Sequence, residues 1–188
     1  MKRWSMLACG VCALHWAQPV FAQDLADSLI TRLGQVQTRQ KPFRETRTLA
    51  ALKAPLESSG VLIYRHPGYL QKTTEQPRAE DLVINGDMVT ISRNHTAPQS
   101  VDTARVPALR LLADTLRAPL DGDAALLRRY YHITATEQGA DWSLYLTPAS
   151  DKVAALTKSV TLSGKNNAIL RIVLVQANGD TQTMTIAP

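Results

Sequence analysis

The stretch Asp81-Leu82-Val83-Ile84-Asn85-Gly86-Asp87-Met88-Val89-Thr90-Ile91-Ser92 places two apolar runs on either side of a turn. Side chains alternate across a strand, and Asn-Gly between apolar runs is the strongest short-range hairpin signal, because both turn positions favour positive φ. Residues 81–92 are therefore predicted as a β-hairpin. Gly60 to Tyr64 is a second short alternating segment, and the strand pattern starts near Phe43. Towards the C-terminus Trp142, Leu144 and Leu146 alternate with Ser143, Tyr145 and Thr147 until Pro148 stops the run. Leu170, Ile172 and Leu174 share a further face, Asn178-Gly179 turns the chain, and Met184 and Ile186 alternate with threonines.

Two helical patterns interrupt these strands. From Asp24 to Gln37, Leu25, Leu29, Leu33 and Val36 recur at spacings of four, four and three, which predicts a helix with one apolar face. Between Thr103 and Tyr131, Pro107 suits a first helical turn, and Leu109, Leu112 and Leu116 form a stripe. Asp121-Gly122-Asp123 then breaks and restarts the helix, and a second short one carries Leu126, Leu127, Tyr130 and Tyr131. Helices grouped against an antiparallel sheet predict an α+β fold. So many strands in a short chain tend to curl, and a curled sheet under a helical cover encloses an apolar hollow.

The first 22 residues read as a leader. Lys2 and Arg3 form a basic head, Met6 to Trp16 is mainly apolar, and Val20-Phe21-Ala22 suits a signal peptidase. Cleavage predicts residues 1–22 as a signal peptide, residues 23–188 as a single domain, and the periplasm as its compartment. The apolar run is too short and interrupted to span a bilayer. Both cysteines, Cys9 and Cys12, would leave with the leader, so a disulfide framework, a thiol nucleophile and a Cys metal site are excluded from the mature chain. A lipobox reading of Leu7-Ala8-Cys9-Gly10 would leave almost no apolar region.

Loss of Lys2 and Arg3 lowers the basic count from 21 to 19 against 16 acids, and the net charge from +5 to +3, too mild to argue for nucleic acid. The excess is local: Arg32, Arg39, Lys41, Arg44, Arg47 and Lys53 surround only Glu45. Such a cluster either faces anionic lipid or an acidic partner, or forms a solvated basic edge. His66, His95 and His132 are widely spaced, with no paired ligand motif, so no metal or cofactor is expected. Ser58-Ser59-Gly60 lacks a nucleophile elbow. Asp121 and Asp123 read as helix-capping carboxylates rather than as an acid–base pair. Asn94-His95-Thr96 has the form of a glycosylation sequon and is read as a chance match.

Several segments in order resemble the periplasmic lipoprotein carriers called LolA and the wider group of LolA-like proteins. They are the N-terminal helix, Phe43-Arg44-Glu45-Thr46-Arg47, Pro55-Leu56-Glu57-Ser58-Ser59-Gly60, Tyr64-Arg65-His66-Pro67-Gly68-Tyr69-Leu70 and Ile84-Asn85-Gly86-Asp87. Leu120-Asp121-Gly122-Asp123, the run from Trp142 to Pro148 and Asn178-Gly179-Asp180 continue the likeness. The resemblance implies an unclosed antiparallel β-barrel with helices forming a lid over a hydrophobic cavity. It also implies a monomeric, non-catalytic carrier of lipoprotein or lipid acyl chains, loaded by an inner-membrane transporter and unloaded at an outer-membrane acceptor. Carriers of this family have an arginine immediately before the proline that corresponds to Pro67, where it holds lid carbonyls. This chain has His66 there, preceded by Arg65. Either Arg65 reaches round, or His66 makes a weaker, pH-sensitive latch, or the lid closes differently.

In a half-closed barrel one parity faces the hollow. The expected cavity residues are Leu62, Tyr64, Leu70, Leu82, Ile84, Val89 and Ile91, then Leu109, Leu112 and Leu116 from the lid, with Trp142, Leu144 and Leu146 opposite. The alternative is a non-catalytic periplasmic interaction or assembly module whose barrel is filled with side chains and which binds protein at a sheet edge. A secreted hydrolase would need a reactive group, which the sequence does not offer.

Overall fold

A computed structural model describes residues 20–94 and 96–188. The predicted leader up to position 19, with Cys9 and Cys12, and the predicted sequon's His95 lie outside the described residues. After helix α1 (Val20–Leu33) come β1 (Thr38–Thr48), β2 (Leu56–Arg65), β3 (Tyr69–Gln76), β4 (Glu80–Asn85), β5 (Met88–Arg93) and β6 (Gln99–Asp102). A 3₁₀ turn at Thr103–Arg105 leads into α2 (Pro107–Asp121) and α3 (Ala124–Arg128). Then follow β7 (Tyr131–Gln138), β8 (Asp141–Pro148), a short α4 (Asp151–Ala154), β9 (Thr157–Lys165), β10 (Ala168–Gln176) and β11 (Thr181–Ile186).

The strands form one antiparallel sheet in the order β6-β5-β4-β3-β2-β1-β11-β10-β9-β8-β7. Two runs of hairpins meet where β11 pairs with β1, with Phe43 opposite Ile186. The edges β6 and β7 do not pair, so the barrel stays unclosed, as the α+β reading predicts. Pro42 sits inside this central strand without breaking it. Its carbonyl accepts from Ala187 N, so its missing N–H would have pointed the same way, where the β11 ladder has just ended at Ile186.

The hairpin at 81–92 is present, with Asn85 opposite Met88. Its turn residues are Gly86 and Asp87, and only Gly86 has positive φ (+56°), so the chain does not use Asn-Gly as a doubly left-handed turn. Leu170 departs from its expected parity. A bulge between Ile169 and Arg171 inserts it, so that Ile169 takes the buried position beside Ile172 and Leu174 on the covered face.

The first helix stops at Leu33, four residues before the periodicity does, and Val36 lies in the turn that follows. The cause is a close approach: a Cβ at Gly34 would lie 2.6 Å from Gly122 Cα. Gly122 itself has φ +75° and caps α2. Two helix ends thus touch backbone to backbone. Tyr131, expected in a helix, is instead the first residue of β7 and fully buried.

The helices divide the sheet's concave face. Leu29, Ile30 and Leu33 of α1 pack with Leu127 of α3 on Trp142, Leu144, Leu146, Val160 and Leu162. Under α2 a second cluster gathers Tyr64, Leu70, Ile84, Val89 and Ala113. Each fully buried leucine contributes about 1.5–3 kcal/mol.

Gly34→Ala is expected to lower stability by about 1–3 kcal/mol, since the added methyl meets backbone rather than a movable side chain. Urea unfolding measures it, with Lys53→Ala in the exposed β1–β2 loop as a control near zero.

Candidate functional site

Between α2 and the concave face lies a cavity of about 210 Å³. One wall is Leu62, Leu70, Leu82 and Ile84 beneath Leu112, Leu116 and Leu120 of α2. The opposite wall comes from the second run of strands, chiefly Ile172 and Leu174 of β10 and Met184 and Ile186 of β11, with Leu33 of α1. Strand alternation puts these residues on one face, because Leu70 stands opposite both Tyr64 and Ile84, and Ile172 opposite both Leu162 and Met184. The volume exceeds the ~150 Å³ that admits one benzene and falls short of the ~300 Å³ where drug-sized sites begin. A volume of this size holds a short stretch of hydrocarbon with α2 in place. The lining nevertheless runs from Arg39 to Arg47, roughly 26 Å along β1 at ~3.3 Å per residue.

Of the expected cavity residues, the structure brings Leu62, Tyr64, Leu70, Leu82, Ile84, Leu112 and Leu116 to this lining. Val89 and Ile91 pack outside it, because β5 lies one strand beyond the wall, and Leu109, in the first turn of α2, joins them in the cluster under that helix. Trp142, Leu144 and Leu146 lie in the core beneath α1, which fills the hollow on that side. The indole ring of Trp142 rests where a Cβ at Gly164 would lie, and its Nε1 donates to the Asn166 carbonyl at 2.9 Å.

Sequence reasoning missed the opposite wall, and it singled out the basic cluster around Glu45 without placing it in the cavity lining. On β1 the parity of Phe43 also carries Arg39, Lys41 and Arg47 inward to the lining, and Lys72 of β3 joins them. Glu45 lies among them, only 2% exposed. It accepts a hydrogen bond from Lys72 Nζ and has Arg47 Nε at 3.5 Å. Lys72 Nζ also sits 5.1 Å above the Phe43 ring. The alternation seen in the hairpin, extended through β1, was the signal that could have placed these bases.

The lid is tied at its C-terminal end. The buried Tyr64 hydroxyl donates to the Leu120 carbonyl at 2.6 Å, and Gly68 N donates to Asp121 Oδ1 at 2.8 Å. Asp121 Oδ1 is also 3.1 Å from the Tyr64 hydroxyl. His66 Nδ1 lies 3.1 Å from that hydroxyl and 3.9 Å from the carboxylate, while Arg65 lies over the Tyr69 ring at 5.1 Å. The two aspartates of the Asp121-Gly122-Asp123 break therefore separate in role. Asp123 caps α3 through Leu126 N at 2.8 Å, and Asp121 fastens α2 to the β2–β3 turn. Burial, then the Asp121 charge and hydrogen bond, pushes the Tyr64 phenol well above its usual pKa. Nearer the middle of α2, buried Asp114 accepts from Arg117 at 3.1 Å and from Tyr130 at 2.8 Å.

Among the described residues no three His, Cys, Asp or Glu side chains gather as a metal site, and no helix is long and apolar enough to cross a membrane. A family model described as outer membrane lipoprotein carrier protein LolA-like matches residues 17–188. Among solved structures, a LolA superfamily protein from Nitrosomonas europaea is similar at 12% identity and TM-score 0.45, covering 87% of this chain and 91% of that one. The MucA/MucB complex of Pseudomonas aeruginosa gives 13% identity and TM-score 0.48, with 86% of this chain covered and 55% of that chain. No curated protein matches.

Tyr64→Phe is expected to cost about 0.5–1.5 kcal/mol and to speed amide exchange in the last turn of α2. Because folding raises the phenol's pKa, its contribution is complete below the unfolded value near ~10 and declines as pH climbs past it. Urea midpoints measured from pH 8 to 11 check this: the gap between wild type and Tyr64→Phe narrows as pH rises.

Proposed function

The chain belongs to the outer membrane lipoprotein carrier protein LolA-like family, and from that membership we propose that it is a non-catalytic periplasmic carrier of acyl chains. It takes the chains of a lipoprotein or another lipid from an inner-membrane transporter, shelters them beneath α2, and delivers them to an outer-membrane acceptor. The observation that carries this reading is the apolar cavity between Leu62, Leu70, Leu82 and Ile84 and the α2 leucines. Transfer of hydrocarbon from membrane to pocket is near balance, because each buried methylene gains about 0.8 kcal/mol in either place. Uptake and release then turn on what it costs to lift α2.

Two features support a lid that moves. Its C-terminal end is fastened by Tyr64 and Asp121, while its N-terminal half leaves Leu112 38% exposed at the edge of the cavity. Val106, the residue before the helix, is 39% exposed and supplies no side-chain cap. The rival reading, a barrel filled with side chains that binds protein at a sheet edge, has no use for the space at the centre of this one.

Leu116→Trp fills the cavity from the lid side. Native mass spectrometry of protein purified from periplasm is expected to find lipid on the wild type and about tenfold less on Leu116→Trp, with both folded by circular dichroism. Lipid-free wild type, or equal loading of the variant, overturns the reading.

A further inference from the structure

The cavity's two apolar walls are separated by a charged stripe along β1, and the charges do not balance. Arg39, Lys41, Arg47 and Lys72 line the cavity, whereas among the described residues Glu45 is the one side-chain carboxylate that contacts any of them. Glu80, the remaining charged lining residue, is taken by Arg93 at 2.6 Å. Lys41 donates to an oxygen of Pro188, the last residue of the sequence, and Arg39 Nη1 to the Asn167 carbonyl at 3.3 Å. At the far end of β1, Arg47 and Lys72 share Glu45, which is buried and so committed to Lys72, while the Arg47 side chain remains half exposed. Gln182, opposite Arg47 in the β1–β11 register, adds an amide to the same end of the lining.

Lys72, largely buried, requires the acid it holds, and Arg47 beside it has no carboxylate of its own among the described residues and reaches Glu45 only at 3.5 Å. We propose that this end of the cavity is a headgroup site, and that the ligand is an amphiphile whose polar head carries net negative charge. Arg47 takes the anionic oxygens, with its planar donors suited to a phosphate or carboxylate. Gln182 adds a neutral donor, and Lys72 contributes the part of its charge that Glu45 leaves unmatched. The hydrocarbon then extends along the walls on either side of β1. This assignment rests on the acyl-binding reading given above and narrows it to a class of lipid.

Native mass spectrometry of the delipidated protein tests it, with an equimolar mixture of phosphatidylglycerol, phosphatidylcholine and diacylglycerol bearing identical acyl chains. The wild type is expected to load phosphatidylglycerol about tenfold over the other two, the size of one charged hydrogen bond, and to lose that preference as ionic strength rises. Arg47→Gln leaves the Glu45–Lys72 pair intact and is expected to bring the three lipids close to parity. Equal loading of all three by the wild type overturns the headgroup site while leaving the acyl pocket standing. Failure to load any of them overturns the acyl pocket itself. An undiminished preference in Arg47→Gln, confirmed folded by its thermal melt, removes Arg47 from the site.

Discussion

The hydrogen bond from the Tyr64 hydroxyl to the Leu120 carbonyl fixes the C-terminal end of α2 across the sheet, and the cavity lies beneath the helix so held. A sheet of eleven strands with one face turned inward must bury that face or expose it to water. On the β7 side α1 and α3 press directly on the strands and the space closes into ordinary core. On the β2–β4 side α2 is held at its end by a tyrosine and an aspartate, and leaves room beneath it. The two sides use the same kinds of residue and differ in how tightly a helix covers them.

Glu45 plays the corresponding part for the charges. Removed from water, a carboxylate requires a partner, and Lys72 supplies it across two strands, with its ammonium also over the Phe43 ring. The chain can therefore carry a basic stripe through the centre of an apolar chamber without collapsing around it. Deleting Lys72 would leave the buried acid with only the more exposed Arg47, 3.5 Å away, whereas changing Arg47 leaves the Glu45–Lys72 pair in place.

Much of the architecture was legible because it rests on local chemistry. The hairpin at 81–92, Pro107 at the first position of α2, and the break at Asp121-Gly122-Asp123 all stand in the structure. What escaped depends on contacts distant in sequence. No periodicity near Val36 announces that Gly34 will abut Gly122, and no local signal at Leu170 announces a bulge. The family's arginine position drew attention to Arg65 and His66; His66 sits beside the Tyr64 hydroxyl that fastens the helix, while Arg65 lies over the Tyr69 ring. A cavity wall and a core are written in the same letters: Leu144 and Leu62 were equally good candidates, and only the seating of α1 separates them.

Leu120 has a position that no other described residue shares. Its side chain packs on both hydrophobic clusters, and its carbonyl receives the Tyr64 hydroxyl. The core beneath α1 and the cluster under α2 are therefore joined through one side chain, and a displacement of this end of α2 would be felt in both.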